Sequence, residues 1–200
     1  MRGTRFDALP RLTMPMTLDD VAALIVIDLQ KGILAIPTAY PAGVIVERCS
    51  RLANAFRESG LPVVLVNVDG RAPGRTDSTL PSGPRPADWA DLVPELDPRP
   101  GDVLVTKRRF GAFLGTTLHA ELQRRGATQV VMTGISTSIG VESTARSAYD
   151  LGYNVAFAVD AMTDRSAENH RHSVENVFPR IGETGTTADV LALLASRVKR

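Results

Sequence analysis

Five short apolar runs punctuate the chain: AALIVID (22–28), PVVLVNV (62–68), DVLVTK (102–107), TQVVMTG (128–134) and YNVAFAVD (153–160). They are β-branched and nearly unbroken, without strict alternation of apolar and polar positions. That is the pattern of parallel strands covered on both faces. RIGET (180–184) is predicted as a sixth strand. Between the runs the apolar spacing changes to steps of three and four. VIVERCSRLANAFRESG (44–60) sets Val44, Cys49, Leu52, Ala53 and Phe56 on one helical face. TLHAELQRRG (117–126) ends at a glycine after two arginines, both favourable at a helix C-terminus. VESTARSAYDLGY, SAENHRHSVENVF and TADVLALLASRVK supply three further helices.

Strands alternating with helices predict βαβ units, and hence an α/β fold: a three-layer, doubly wound, six-stranded parallel sheet with helices on both faces. Ligands of such sheets bind outside the carboxyl ends of the strands, at a topological switch point. Residues 1–19 are expected to form an N-terminal arm, and 20–200 a single domain. One stretch breaks the rhythm. Residues 69–102 hold seven of the chain's 13 prolines and its only tryptophan. A loop of that length in a compact domain is commonly functional, and this one is read as a lid or interface segment with Trp89 as an anchor.

Composition narrows the classes. With 44% hydrophobic and 22% charged residues the chain is globular in type. A net charge of +1 argues against a nucleic acid or an anionic membrane as the main partner, although KRRF (107–110) is locally basic. No apolar stretch approaches the length of a membrane span. The single cysteine, Cys49, permits no intrachain disulfide and fits a reducing cytoplasm. Its place on an amphipathic helix reads as core.

The strand ends carry the candidate chemistry. The first run ends at Asp28, with Gln30 just beyond, and the third ends at Lys107, a natural counter-ion for Asp28. Phe110 and Phe113 follow and could line an apolar pocket. The fourth run ends at Gly134 and leads through ISTSIG into a helix. Ser136, Thr137 and Ser138 are cap donors there, and the amides of Ile139, Gly140 and Val141 are placed to receive an anion. There is no G-x-G-x-x-G after the first strand, no P-loop and no G-x-S-x-G elbow. His119, His170 and His172 do not cluster, so neither a metal nor another cofactor is expected.

VIDLQKG, VTKRRFGAF and VMTGISTSIGVESTARSAYDLGYNVAFAVDAMTD resemble, in order and spacing, the three signature regions of the isochorismatase-like (cysteine hydrolase) superfamily. The resemblance covers roughly residues 20–198. It implies an assembly into homodimers or homotetramers and a non-proline cis peptide at Ile135–Ser136. Amidases of this superfamily use an Asp–Lys–Cys triad. The aspartate falls on Asp28, the lysine on Lys107, and the cysteine's place is taken by Gly140.

Glycine cannot form the thioester of the amidases. True isochorismatases also carry glycine here, and cleave a vinyl ether by protonation and water attack. The resemblance therefore implies a hydrolase of a small anionic molecule, with Asp28 as acid or base, Lys107 as its electrostatic partner and Gly140 making room. Lys107 is expected to lower the pKa of Asp28, which opposes an acid role. Gln30, Asn67, Phe110, Phe113, Ile135, Ser136, Thr137, Ile139 and Val141 are the expected pocket residues. Where authentic isochorismatases commonly have Tyr-Ala-His before the glycine, this chain has Ser136-Thr137-Ser138, so the substrate itself is not implied. Two other classes stay open: a non-catalytic binding or assembly protein that retains the pocket, and a flavodoxin-like nucleotide binder.

Overall fold

The computed structural model describes residues 15–77 and 84–197; residues 1–14, most of the expected arm, lie outside it. Six strands form one parallel sheet in the order β3-β2-β1-β4-β5-β6. They are β1 (Ala22–Ile27), β2 (Val63–Val68), β3 (Val103–Lys107), β4 (Gln129–Ile135), β5 (Asn154–Thr163) and β6 (Glu183–Gly185). The helices are α1 (Lys31–Leu34), α2 (Ala42–Glu58), α3 (Leu118–Arg124), α4 (Glu142–Asp150), α5 (Ala167–His172) and α6 (Thr187–Arg197). The chain winds outward from β1 to β3, then returns to place β4 against the other side of β1. The switch point is therefore the gap between β1 and β4.

Every residue of β1 and β4 is buried, as their unbroken apolar character requires. One face packs Ile25, Ile27, Val64 and Val66 against α3 and α4, closed by the parallel stack of Phe157 on Phe178 at 3.9 Å between centroids. The other packs Leu24, Val26 and Leu65 against α2 and α6. Burial of this apolar surface is the main stabilising term, about 25 cal/mol per Å² removed from water. Among the described residues no helix is long and apolar enough to cross a membrane.

Four elements differ from the sequence expectation, each for a tertiary reason. β3 alternates buried and exposed because it is the sheet edge, and Leu104 stands 62% exposed. α2 buries Ile45 and Val46 while Val44 faces out, so its apolar face is turned slightly from the one read by spacing. β5 runs on to Thr163, its register against β4 shifting between Met132 and Gly134. The helix expected over 166–178 ends as α at His172 and continues as a π-helical turn over Ser173–Val177. Residues 15–19 are tied to the sheet: the Thr17 amide donates to Glu183 and its carbonyl accepts from Gln129.

The described part of the long loop is held to the start of α1. Trp89 lies against Gly32, under the Arg85 guanidinium at 3.9 Å, and Lys31 pairs with Asp88 and Asp91. Trp89 thus anchors the loop as expected, while residues 78–83 lie outside the described chain.

At the switch point β4 passes close to β1. Gly134 has φ 110°, and a Cβ there would fall inside the Ile27 carbonyl oxygen and amide nitrogen. Gly134→Ala should therefore destabilise the fold by about 3 kcal/mol or more, from positive φ and overpacking together. Urea unfolding of the variant beside wild type measures this; a loss below about 0.5 kcal/mol, the range of an ordinary surface change, would contradict it.

Candidate active site

Asp28 is the first residue past β1 and sits with φ 53°, a left-handed conformation uncommon for a non-glycine residue. Its amide donates to the Val66 carbonyl and its own carbonyl accepts from the Gln30 amide. These bonds fix the backbone as it leaves the sheet beside the β1/β4 switch point. Lys107 ends β3, two strands away, and its Nζ reaches across the end of β2 to Asp28 Oδ2 at 2.8 Å. The two side chains are 3% and 7% exposed. Lys107 also donates to the Arg109 carbonyl at 3.2 Å, leaving one ammonium N–H uncommitted. Asp28 Oδ1 is buried and has no hydrogen-bond partner among the described residues.

Gly140 completes the arrangement. A Cβ at this position would lie 3.4 Å from Asp28 Oδ2 and 2.9 Å from the Ile27 Cγ2 methyl. Asp28, Lys107 and the turn after β4 are thus brought together, and the Ile135–Ser136 peptide is cis, at the bond the sequence resemblance implied. The crossing itself is not the capped helix start expected. Residues Thr137–Val141 form a π-helical turn without a side-chain cap. The Ile139 and Val141 amides both donate to the Ser136 carbonyl. Two of the three amides assigned to an anion are therefore occupied within the turn.

The remaining expected pocket residues divide. Gln30 is fully buried and its carboxamide is saturated by main chain: it accepts from the Val68 amide and donates to the Val68 and Trp89 carbonyls. Asn67 donates to the Ala90 carbonyl at 2.8 Å. Both hold the long loop to the sheet. Phe113 packs in the core, stacked on Tyr153 at 6.0 Å, whereas Phe110 is 67% exposed. Ile135 and Val141 belong to the two cores, and Ile139 is exposed.

Thr137 and Ser138 do not cap. The Thr137 hydroxyl meets His170 Nδ1 at 2.8 Å, and the Ser138 amide and hydroxyl both donate to Asp164 at 2.8 Å. Tyr40 stands edge-on to His170 at 5.2 Å. Asp164, buried just past the end of β5, was not singled out from sequence, although an aspartate at a strand end is the same signal that marked Asp28. Burial holds His170 below the usual imidazole value, with Asp164 opposing. Cys49 is buried in the core against the Ala161 carbonyl, and burial pushes its thiol up to about 12. Among the described residues no group of three or more His, Cys, Asp or Glu side chains is placed to hold a metal ion.

Residues 22–189 match the isochorismatase domain model. The uncharacterized isochorismatase family protein YwoC of Bacillus subtilis (strain 168) is 44% identical over 176 residues, covering 84% of this chain and 92% of that protein. The uncharacterized isochorismatase family protein YecD of Escherichia coli O157:H7 is 41% identical over 179 residues, covering 86% and 95%. Among solved structures, an isochorismatase family protein from Burkholderia thailandensis superposes with a TM-score of 0.85 at 42% identity, covering 90% of this chain and 98% of that one.

The charge state of Asp28 departs from the sequence expectation. Lys107 does lower its pKa, through charge and hydrogen bond, but desolvation is larger, and the carboxyl is raised from 3.8 to about 6. The folded protein therefore holds this proton at pH values where the unfolded chain has released it. Its contribution to stability is fully present below about pH 4 and is lost as pH rises to about 6. Compared with Asp28→Asn, which does not titrate, wild type should lose roughly 3 kcal/mol of stability across that window and stay flat above it. Urea melts of both proteins over the range measure the difference. A slope of opposite sign would mean that Lys107 outweighs burial.

Proposed function

The chain belongs to the isochorismatase family, and from that we propose that it is a hydrolase of a small anionic substrate that works without a covalent enzyme intermediate, cleaving a vinyl ether rather than an amide. The observation that carries this reading is the buried Asp28 carboxyl, raised to about 6, with Oδ2 beside Gly140 and an Oδ1 that has no partner among the described residues. Where amidases of the superfamily carry their nucleophilic cysteine, Gly140 offers no side chain. The chain's only thiol, on Cys49, is sealed in the core.

In this reading Asp28 is the general acid. Protonated on Oδ1, it delivers its proton to the terminal carbon of the vinyl group, and the resulting oxocarbenium ion takes up water. The hemiketal collapses to a ketone and an alcohol, and the proton released by the water restores the acid. Lys107 stabilises the Asp28 carboxylate left after proton transfer, and its remaining N–H is available to a substrate carboxylate. A thioester route would need a thiolate, which Gly140 cannot supply.

The direct test is release of pyruvate from isochorismate, followed by a panel of other vinyl ethers, amides and carbamoyl compounds. On the substrate that is turned over, Asp28→Asn should lower kcat/KM by about 100-fold or more. Because the acid form is the active one, wild-type kcat/KM should fall about tenfold per pH unit above about pH 6. A rise through that range would assign Asp28 the role of base. Binding without turnover across the panel would instead support a non-catalytic protein that retains the pocket.

A second prediction separates this reading from a cysteine mechanism. With Cys49 buried and its thiol at about 12, iodoacetamide at neutral pH should leave turnover unchanged. Stoichiometric alkylation accompanied by loss of activity would overturn the assignment.

A further inference from the structure

Thr144 is fully buried in the first turn of α4 and takes no part in the chemistry described above. Its hydroxyl makes two hydrogen bonds. It donates to the Gly140 carbonyl at 2.7 Å and accepts from the Ala112 amide at 3.1 Å.

The first bond is ordinary, because a helical threonine often bonds the carbonyl four residues back. Ser147, on the same helix, donates in that way to the Ser143 carbonyl at 3.1 Å and makes no other side-chain hydrogen bond among the described residues. The second bond is not explained by the helix. Ala112 belongs to the segment that leaves β3 after Lys107, and among the described residues this is that segment's one hydrogen bond to α4. The approach is close: a Cβ on Gly111 would lie 3.2 Å from the Ser143 carbonyl oxygen.

Followed from atom to atom, these contacts close a ring around the acid. Asp28 Oδ2 meets Lys107 Nζ at 2.8 Å, and Nζ donates to the Arg109 carbonyl at 3.2 Å. Further along the same segment, the Ala112 amide is held by Thr144, which also holds the Gly140 carbonyl. Gly140 returns to Asp28, its Cβ position 3.4 Å from Oδ2. Arg108, Arg109 and Phe110 are exposed, so little protein covers the segment from outside. The lysine stem is flexible, and a fixed Arg109 carbonyl limits where its ammonium can sit.

Taking Asp28 as the general acid, a reading on which this inference rests, we propose that Thr144 is a positioning residue for the reaction. Its hydroxyl fixes the 109–112 segment against the Gly140 turn and, through the Arg109 carbonyl, keeps the Lys107 ammonium on Asp28. Valine has the shape of threonine without the hydroxyl, and would leave the buried Ala112 N–H without its acceptor.

Thr144→Val, Thr144→Ser and Ser147→Ala test this, with circular dichroism melts to establish that each is folded. Thr144→Ala replaces the valine variant if that one does not fold. One readout needs no substrate: exchange of the Lys107 ammonium protons with water, followed by heteronuclear NMR. It should quicken about tenfold in Thr144→Val. It should keep the wild-type rate in Thr144→Ser, which retains the hydroxyl, and in Ser147→Ala. On the substrate that is turned over, Thr144→Val should lower kcat about tenfold with KM changed less than about twofold, and Thr144→Ser should restore it. Unchanged Lys107 exchange in Thr144→Val overturns the proposal, whatever the melting temperature does. So does a serine variant that behaves like the valine one, or a loss carried by KM alone. Quickened exchange in a protein that turns over nothing supports the Thr144 link and counts against the hydrolase reading instead.

Discussion

Burying a carboxylate beside an ammonium strips both of hydration, and their mutual attraction recovers that loss only when the geometry is good. The Asp28–Lys107 pair meets this condition on one oxygen and not on the other. Oδ2 is 2.8 Å from the ammonium, while Oδ1 is buried with no partner among the described residues. Much of the molecule serves to keep this half-satisfied pair in place. The sheet order sets β3 two strands from β1, so that a lysine, the longest unbranched cation, can span the end of β2. The fully buried β1 and β4 then make the switch point rigid.

The net effect on Asp28 illustrates why magnitudes decide such cases. A neighbouring cation alone would make this a strong acid that is always ionised. Desolvation acts the other way and is larger, so the carboxyl is raised to about 6. A proton can then be held and released near neutrality, the condition for general acid catalysis. Sequence reveals the lysine and the aspartate, but desolvation depends on how many atoms surround them, and that is a tertiary quantity.

The same division runs through the fold. Runs of apolar, largely β-branched residues located five of the six strands, because hydrophobic periodicity is local. Edge status is not local, so the alternation of β3 was hidden until its neighbours were known. Asp28, Lys107 and Gly140 were legible because strand ends in a doubly wound sheet converge on one place. The main-chain contacts of Gln30 and Asn67 were hidden for a related reason: a polar residue near a strand end reads first as one aimed at a ligand. Their partners are the main chain of residues 68, 89 and 90, which no spacing rule relates to them. The Asp164–Ser138 contact likewise joins positions 26 residues apart in the chain.

Gln30 acts here less as a side chain than as a length of borrowed backbone. Its amide pairs with both polar groups of Val68, and its own main chain forms an antiparallel bridge with Leu92. The seam between loop and sheet is thereby framed by peptide groups, whose hydrogen bonds persist whatever residues the loop carries. Substitutions along 84–93 can change the outer face of the loop while leaving the Asp28–Lys107 pair undisturbed. A scaffold wired in this way can vary its surface without loosening the joint beneath it.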